Sequence, residues 1–261
     1  EQIINKAFKF HLQGNITEAA KLYRYFIKQG FQDHRVFSNY GVIVQDTNKL
    51  KESEKLIRKA IKYKPDFAEA HSNLGKLLRD LSQLKEAEIS TRKAIEIKPD
   101  YAEAYYNLGI ILRDIGKLKE AEISTCKAIK LKPDYAEAHS NLGLILIDLG
   151  QSEEAEISMR KAIYLNPNFV DAYYNLGNIL RDLGKQQEAL DVYHQAINFN
   201  SKLSNDYCSV SRFLRESDPN QFNKLKLKKV FSLLLEKDDI FHKDLFTVFN
   251  VIYRNKVEIN L

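Results

Sequence analysis

The segment AEAYYNLGIILRDIGKLKEAEISTCKAIKLKPDY, residues 102–135, reads as two amphipathic helices joined by a glycine turn and closed by a proline. Tyr105, Leu108, Leu112 and Ile115 are spaced i, i+3, i+7, i+10, which gathers them on one apolar stripe of a first helix. A second helix starts near Leu118, and its Ala121, Thr125 and Ala128 keep that periodicity with side chains small enough for two backbones to approach closely. Gly116 lies between the two helices, where positive φ is cheap for a residue without a Cβ. Pro133 stops the second helix, and Asp134, three residues ahead of Glu137, predicts a capping box on the helix that follows.

Read outward, the pattern returns every 34 residues. Asn-Leu-Gly recurs at 73–75, 107–109, 141–143 and 175–177, with Asn39-Tyr40-Gly41 one step earlier. Pro65, Pro99, Pro133 and Pro167 share the period, as do Ala87, Ala121, Ala155 and Ala189 and, further along, Ala60, Ala94, Ala128, Ala162 and Ala196. Asp66 with Glu69 and Asp100 with Glu103 repeat the predicted cap. In the turn slot Gly150 and Gly184 agree with Gly116, Asn48 is tolerable, and Ser82 makes the turn of residues 68–101 the least ideal. A unit of this length ending in Pro is two helices and a turn, and each such hairpin gains stability only by stacking on its neighbour.

This array resembles the tetratricopeptide repeat (TPR) family, whose pattern places an aromatic, Leu-Gly, Ala, an aromatic, a second Ala and Pro at fixed slots. Six units fit: 1–33, 34–67, 68–101, 102–135, 136–169 and 170–203. The first keeps Gly14, Ala19 and Tyr23 but has Lys6-Ala7 for Leu-Gly and Phe31 for Pro; the last has Ser201 in the Pro slot. The resemblance implies an all-α, right-handed superhelix, an α-solenoid whose first helices line the concave wall. Residues 204–261 lose the period yet keep helical patterning, with Leu227, Val230, Phe231 and Leu234 on one stripe and Phe241, Leu245, Phe249 and Ile252 on another. Pro219 and Asp238-Asp239 look like helix starts, giving three helices over about 205–215, 219–236 and 240–254. Their expected role is a cap on the last repeat; the rival is the opening of a further domain.

Composition narrows the function. The chain has 261 residues, 44% hydrophobic and 29% charged, and a formal net charge of +5. Residues 34–203 carry 25 basic against 24 acidic side chains, and the excess is split between the two ends, so no basic stripe suggests a nucleic-acid partner. No apolar run reaches the roughly 18 residues that cross a bilayer, and a soluble protein is expected. Position 1 is Glu rather than Met, which reads as a processing boundary. Cys126 shares its slot with Arg58, Arg92 and Arg160 and stands 82 residues from Cys208. Two free thiols fit a reducing, cytoplasmic compartment.

Several superficial motifs fall away. Gly109 to Lys117 and Gly177 to Lys185 mimic a phosphate loop, but six residues separate the glycines, no Ser or Thr follows the Lys, and the segments are helical. His71 and His139 occupy the aromatic slot of Phe37, Tyr105 and Tyr173, and no second ligand lies at i+3 or i+4, so core packing is expected over metal binding. Asn15-Ile16-Thr17 is a sequon of the kind that occurs by chance. No catalytic residue, metal or cofactor is expected.

What remains is a repeated surface. At 100° per residue, slots 2, 6, 9 and 13 of the unit fall within a ~60° sector opposite the apolar stripe. Asn39, Asn73, Asn107, Asn141 and Asn175 form a line of amides there, flanked by Glu69, Glu103 and Glu137 on one side and Asp80, Asp114, Asp148 and Asp182 on the other, with Asp171 replacing Glu in the last unit. Asn donates and accepts at once, so such a line suits the backbone of an extended peptide, and the acids favour a neutral-to-basic one. Tyr106 and Tyr174 alternate with Ser72 and Ser140 at slot 5, predicting two aromatic shelves on the border of the groove. The amide line resembles that in the TPR arm of nucleocytoplasmic O-linked N-acetylglucosamine transferases, which holds substrate backbone. By contrast, the subclass that clamps the acidic tails of chaperones wants Lys at slots where this chain has Ser, Tyr, Asn or acids. The expectation is an interaction scaffold that binds a protein or peptide; the alternative is the substrate-recruiting arm of a glycosyltransferase or methyltransferase whose catalytic domain follows Leu261. End-to-end self-association is a third possibility.

Overall fold

The computed structural model describes residues 2–47, 49–199, 204–235 and 246–257, and these hold helices and turns with no strand among them. Contacts divide the chain into two compact units, residues 1–133 and 134–261. The first unit contains four hairpins: α1 (Gln2–Leu12) with α2 (Ile16–Lys28), α3 (His34–Asp46) with α4 (Leu50–Tyr63), α5 (Ala68–Asp80) with α6 (Leu84–Ile97), and α7 (Ala102–Ile115) with α8 (Leu118–Leu131). The second contains α9 (Ala136–Asp148) with α10 (Ser152–Leu165) and α11 (Val170–Asp182) with α12 (Gln186–Asn198). The tail follows in the same unit, as α13 (Ser204–Glu216), a 3₁₀ turn at Pro219–Gln221, α14 (Lys224–Leu235) and α15 (Phe246–Val257).

Each hairpin closes where the small residues allow it. Ala87, Thr91 and Ala94 of α6 are fully buried, as are Ala121, Thr125 and Ala128 of α8. A Cβ added to Gly75 would stand 3.2 Å from the Ala87 carbonyl oxygen, so the Gly of Asn-Leu-Gly is what lets α5 and α6 touch. In the preceding hairpin Ser53 donates to the Gly41 carbonyl at 2.7 Å across the same joint. The core continues from hairpin to hairpin: Phe37, Ile57, Leu74, Leu77, Leu78 and Ile111 belong to one buried cluster spanning α3 to α7. His71 and Tyr173 fill the aromatic slot as expected and make the same bond, to the carbonyls of Pro65 at 2.9 Å and Pro167 at 3.1 Å.

The turns follow the sequence and the caps do not. Gly116, Gly150 and Gly184 take positive φ, and Ser82 does so too at 61°, the one non-glycine among the described residues to do so; Asn48 lies outside the described residues. The predicted capping boxes are absent. α5, α7 and α9 begin after Phe67, Tyr101 and Tyr135, none with a side-chain cap bond, so Asp66, Asp100 and Asp134 lie one residue too early. A cap must come from the residue that flanks the helix, and here an aromatic has that place because its ring packs inward: Phe67 is partly buried against the core and meets His34 edge-on at 4.7 Å. Glu69 and Glu103 turn instead toward Lys98 at 3.7 Å and Lys132 at 4.0 Å. Asp33 does cap α3, accepting from the Arg35 and Val36 amides.

The tail departs from its predicted layout in two places. Pro219 opens a single 3₁₀ turn, and α14 starts only at Lys224. Its stripe Leu227, Val230, Phe231 and Leu234 is buried as expected, but in α15 Val248 is buried while Phe249 is 46% exposed. Phe241, Leu245, Asp238-Asp239 and Ser201 lie outside the described residues. The tail packs on the last hairpin: Tyr193 meets Phe213 at 5.1 Å, Gln187 accepts from the Asn223 amide at 2.8 Å, and Lys226 pairs with Asp191 at 2.6 Å.

Candidate functional site

The first helices of each unit carry the predicted sector on their solvent side. Asp80, Asp114, Glu103, Glu137, Asp148, Asp171 and Asp182 are exposed, and Glu69 is half-buried. The amides are set deeper. Asn39, Asn73, Asn107 and Asn175 are half-buried and Asn141 is buried. In the first unit they act as rungs between repeats: Asn73 donates to the Ser38 hydroxyl at 3.1 Å, and Asn107 to the Ser72 hydroxyl at 3.0 Å, each reaching 35 residues back. Both acceptor serines are 1% exposed. Each rung uses one of the two amide protons and leaves the side-chain carbonyl for another partner. The amide line is therefore part of the joint between hairpins as well as a face toward solvent.

The acids also have partners that the sequence reading missed. Arg79 donates to Asp114 at 2.6 Å, Gln45 donates to Asp80 at 2.6 Å, and Arg181 donates to Asp182 at 2.8 Å. The signal was present as Arg-Asp at 79–80, 113–114 and 181–182, again 34 or 68 residues apart. These arginines cut the negative charge of the face. One predicted aromatic shelf is also lost: Tyr174 is 4% exposed and packs 6.4 Å from the Tyr193 ring, because its side of α11 turns into the core of the second unit. Tyr106 is half-buried. Near the amide rung in the first unit, burial and the Glu69 and Glu103 carboxylates push the Tyr101 phenol up to about 12, so it remains a neutral donor.

The first-helix face of the first unit opens into a pocket lined by Phe8, His11, Leu12, Arg35, Asn39, Phe67 and Glu69. Leu12 is 90% exposed. His11 and Asn39 share the Tyr23 hydroxyl, at 3.2 and 3.5 Å, and burial holds the His11 imidazole below its usual range, so the ring is neutral near pH 7. The Arg35 guanidinium lies 5.0 Å from the centre of the Phe8 ring and is paired with Asp33 at 2.7 Å. Apolar walls, a neutral polar floor and one carboxylate at the rim suit a side chain of an extended peptide. Of the lining residues, Asn39 and Glu69 were legible in the sequence; α1 contributed no repeat motif that would have marked Phe8, His11 or Leu12. No group of His, Cys, Asp and Glu among the described residues is placed to hold a metal ion.

Sequence-family profiles described as tetratricopeptide repeats match residues 41–102, 91–123, 136–169 and 159–191. The chain belongs to the tetratricopeptide repeat family. TPR proteins are in general protein-interaction scaffolds, and this TPR chain has the helical hairpins that the family implies. No curated protein matches it. Among solved structures it is similar to MamA, at 27% identity over 61% of this chain and 94% of that one, with a TM-score of 0.54. Pseudomonas aeruginosa PilF covers more, 86% of this chain and 97% of its own at 18% identity and TM-score 0.67, and shares the fold. YrrB, described as a TPR protein with an unusual peptide-binding site, is 21% identical over 73% of this chain and 98% of its own, with TM-score 0.53. No helix among the described residues is long and apolar enough to cross a membrane.

Proposed function

We propose that this TPR chain is a non-catalytic scaffold whose first-helix face binds an extended, neutral-to-basic peptide, anchored in the pocket of Phe8, Leu12, Asn39, Phe67 and Glu69. The observation that carries the reading is that pocket, open on the same face as the amide line and lined by two of its predicted residues. The exposed carboxylates of Glu103, Asp80 and Asp114 favour amines and guanidinia, while Arg79 and Arg113 move the preference toward the neutral end. The tail helices α13 and α14 are the cap of the last hairpin in this reading, supported by the Tyr193–Phe213 contact.

Replacing Asn73 and Asn107 would remove a hydrogen bond from each of two buried serine hydroxyls, so loss of binding in such a variant would not separate ligand contact from stability. A cleaner test selects peptides from a random displayed library on the full chain and measures them against Leu12→Ala/Glu69→Ala. The peptides that this double substitution weakens should be neutral or basic and should lose about tenfold in affinity, the scale of a truncated interface contact, with the helical circular dichroism unchanged. Acidic peptides among those that the double substitution weakens, or a selection in which it weakens none, would remove the proposal.

A further inference from the structure

Three second helices share the tripeptide Glu-Ile-Ser, at 88–90 in α6, 122–124 in α8 and 156–158 in α10. Its burial runs against composition. Ile89, Ile123 and Ile157 are 69%, 71% and 70% exposed, whereas the side chains of Glu88 and Glu156 beside them retain only 15% and 12% of their exposure. α12 shows the ordinary order in the same two slots, with Leu190 fully buried and Asp191 half-buried and paired with Lys226. The hairpin therefore accepts an apolar residue in the inner slot and a charged one in the outer slot; α6 and α10 do the reverse, while in α8 Glu122 keeps 29% of its side-chain exposure beside the exposed Ile123. The neighbouring repeats carry charge in the outer slot, as Lys55 and Asp191, so the exposed isoleucines are confined to consecutive repeats.

In the first unit each exposed isoleucine borders a cleft, and the two clefts share six slots of the repeat, Lys93 corresponding to Lys127 while the slot of Lys62 holds Glu96 in the next repeat. Around Ile89 lie Leu74, His71, Arg58, Lys62 and Lys93; around Ile123 lie Leu108, Tyr105, Arg92 and Lys127. Leucine from a first helix forms the floor, a ring forms one wall and cations form the rim. The arginines are already engaged, Arg58 with Glu54 and Glu86 and Arg92 with Glu88 and Glu120, and Lys93 reaches Glu96. Among the described residues Lys62 and Lys127 enter no ion pair, which leaves one uncommitted cation at each cleft. Glu120 also lines the second cleft, and Arg92 holds it at 2.7 Å.

We propose that these paired clefts dock an acidic, apolar peptide of a partner protein. Two apolar side chains of that segment lie against Ile89 and Ile123 over Leu74 and Leu108, and carboxylates beside them meet Lys62 and Lys127. This surface is rimmed by the second helices, shares no lining residue with the pocket of Asn39 and Glu69, and has the opposite charge preference, so neither proposal depends on the other.

The test uses the full chain and three fluorescein-labelled peptides of equal length, built from Leu and Glu, Leu and Lys, or Ser and Glu, followed by anisotropy. The Leu/Glu peptide should bind, weaken with added salt and outbind the Ser/Glu peptide, and on Leu12→Ala/Glu69→Ala it should outbind the Leu/Lys peptide as well. Ile89→Ser/Ile123→Ser should weaken it at least about tenfold, and because both side chains are exposed the circular dichroism should not change. Lys62→Glu/Lys127→Glu should shift the preference to the Leu/Lys peptide. Failure of the Leu/Glu peptide to bind, or equal binding by the Ile89/Ile123 variant, overturns the proposal. Loss of binding in Leu12→Ala/Glu69→Ala overturns it as well, by placing the acidic peptide on the first-helix face. Sedimentation of the wild type gives a third check: self-association abolished by Ile89→Ser/Ile123→Ser would assign the clefts to a second copy of this chain instead.

Discussion

In α12 Leu190 is buried and Asp191 reaches the half-buried edge where Lys226 meets it; in α6 Glu88 is drawn in and Ile89 faces out, at the same two slots of the repeat. The inner slot meets whatever follows the hairpin, and that neighbour differs. After α12 it meets the tail, whose Phe213, Leu227 and Val230 share a core with Leu190. After α6 it meets the next repeat through Lys117, which donates to Glu88 at 3.0 Å while Arg92 holds the same carboxylate. α10 repeats this in the second unit, with Glu156 between Lys185 and Arg160. One slot thus makes an ionic joint between repeats and an apolar joint to the tail.

The contrast can be broken most severely at its apolar end. Exchanging the pair in α12, as Leu190→Glu/Asp191→Ile, puts a carboxylate into a closed core and removes the Lys226 ion pair, and should cost about 3 kcal/mol or more in urea denaturation. Next comes a site that both kinds of hairpin require to be Gly. Gly75→Ala forces α5 from α6 against a backbone oxygen and should cost about 1–3 kcal/mol by the same measurement, with the unfolding slope unchanged.

The ionic joint should be weaker and sensitive to pH. Burial pushes the Glu88 carboxyl up, but Lys117 and Arg92 outweigh it and hold the group below its ordinary value of 4.5. The folded state then binds fewer protons than the unfolded one, so this contribution is complete above about pH 4.5 and fades as pH falls through the lower, folded value. Glu88→Gln should cost about 1 kcal/mol at pH 7, the scale of a partly exposed charged hydrogen bond, and should flatten the acid limb of a stability–pH curve relative to wild type. The smallest effect belongs to the exposed partner: Ile89→Glu should leave stability within about 0.5 kcal/mol, checked by thermal unfolding, since a surface side chain has little to lose.

Much of the fold was legible because a stacked repeat translates one set of local contacts along the chain. Slot identity at Gly75, Ala87 or Leu108 transfers to every copy, and 34-residue spacing reports it directly. Periodicity gives the phase of a residue on its own helix, however, and says nothing of the offset between helices. That is why the Asn73–Ser38 and Asn107–Ser72 rungs and the Arg79–Asp114 bond, each reaching 35 residues back, were not foreseen. The same limit hid Tyr174, whose border slot became interior once α12 packed beside it. Asp66 failed as a cap for a different reason: Phe67 has more to gain from burial than the helix start gains from a carboxylate.

Ser82 holds a left-handed conformation that a residue with a Cβ adopts at a cost of roughly 1–2 kcal/mol, while the turns of the next repeats use Gly. The hairpin of α5 and α6 nevertheless closes as tightly as the others, so its helix contacts carry that cost with reserve. This turn is where the scaffold keeps its unspent sturdiness, and a designer seeking a hardier version would begin with a single methine-to-methylene change at that corner.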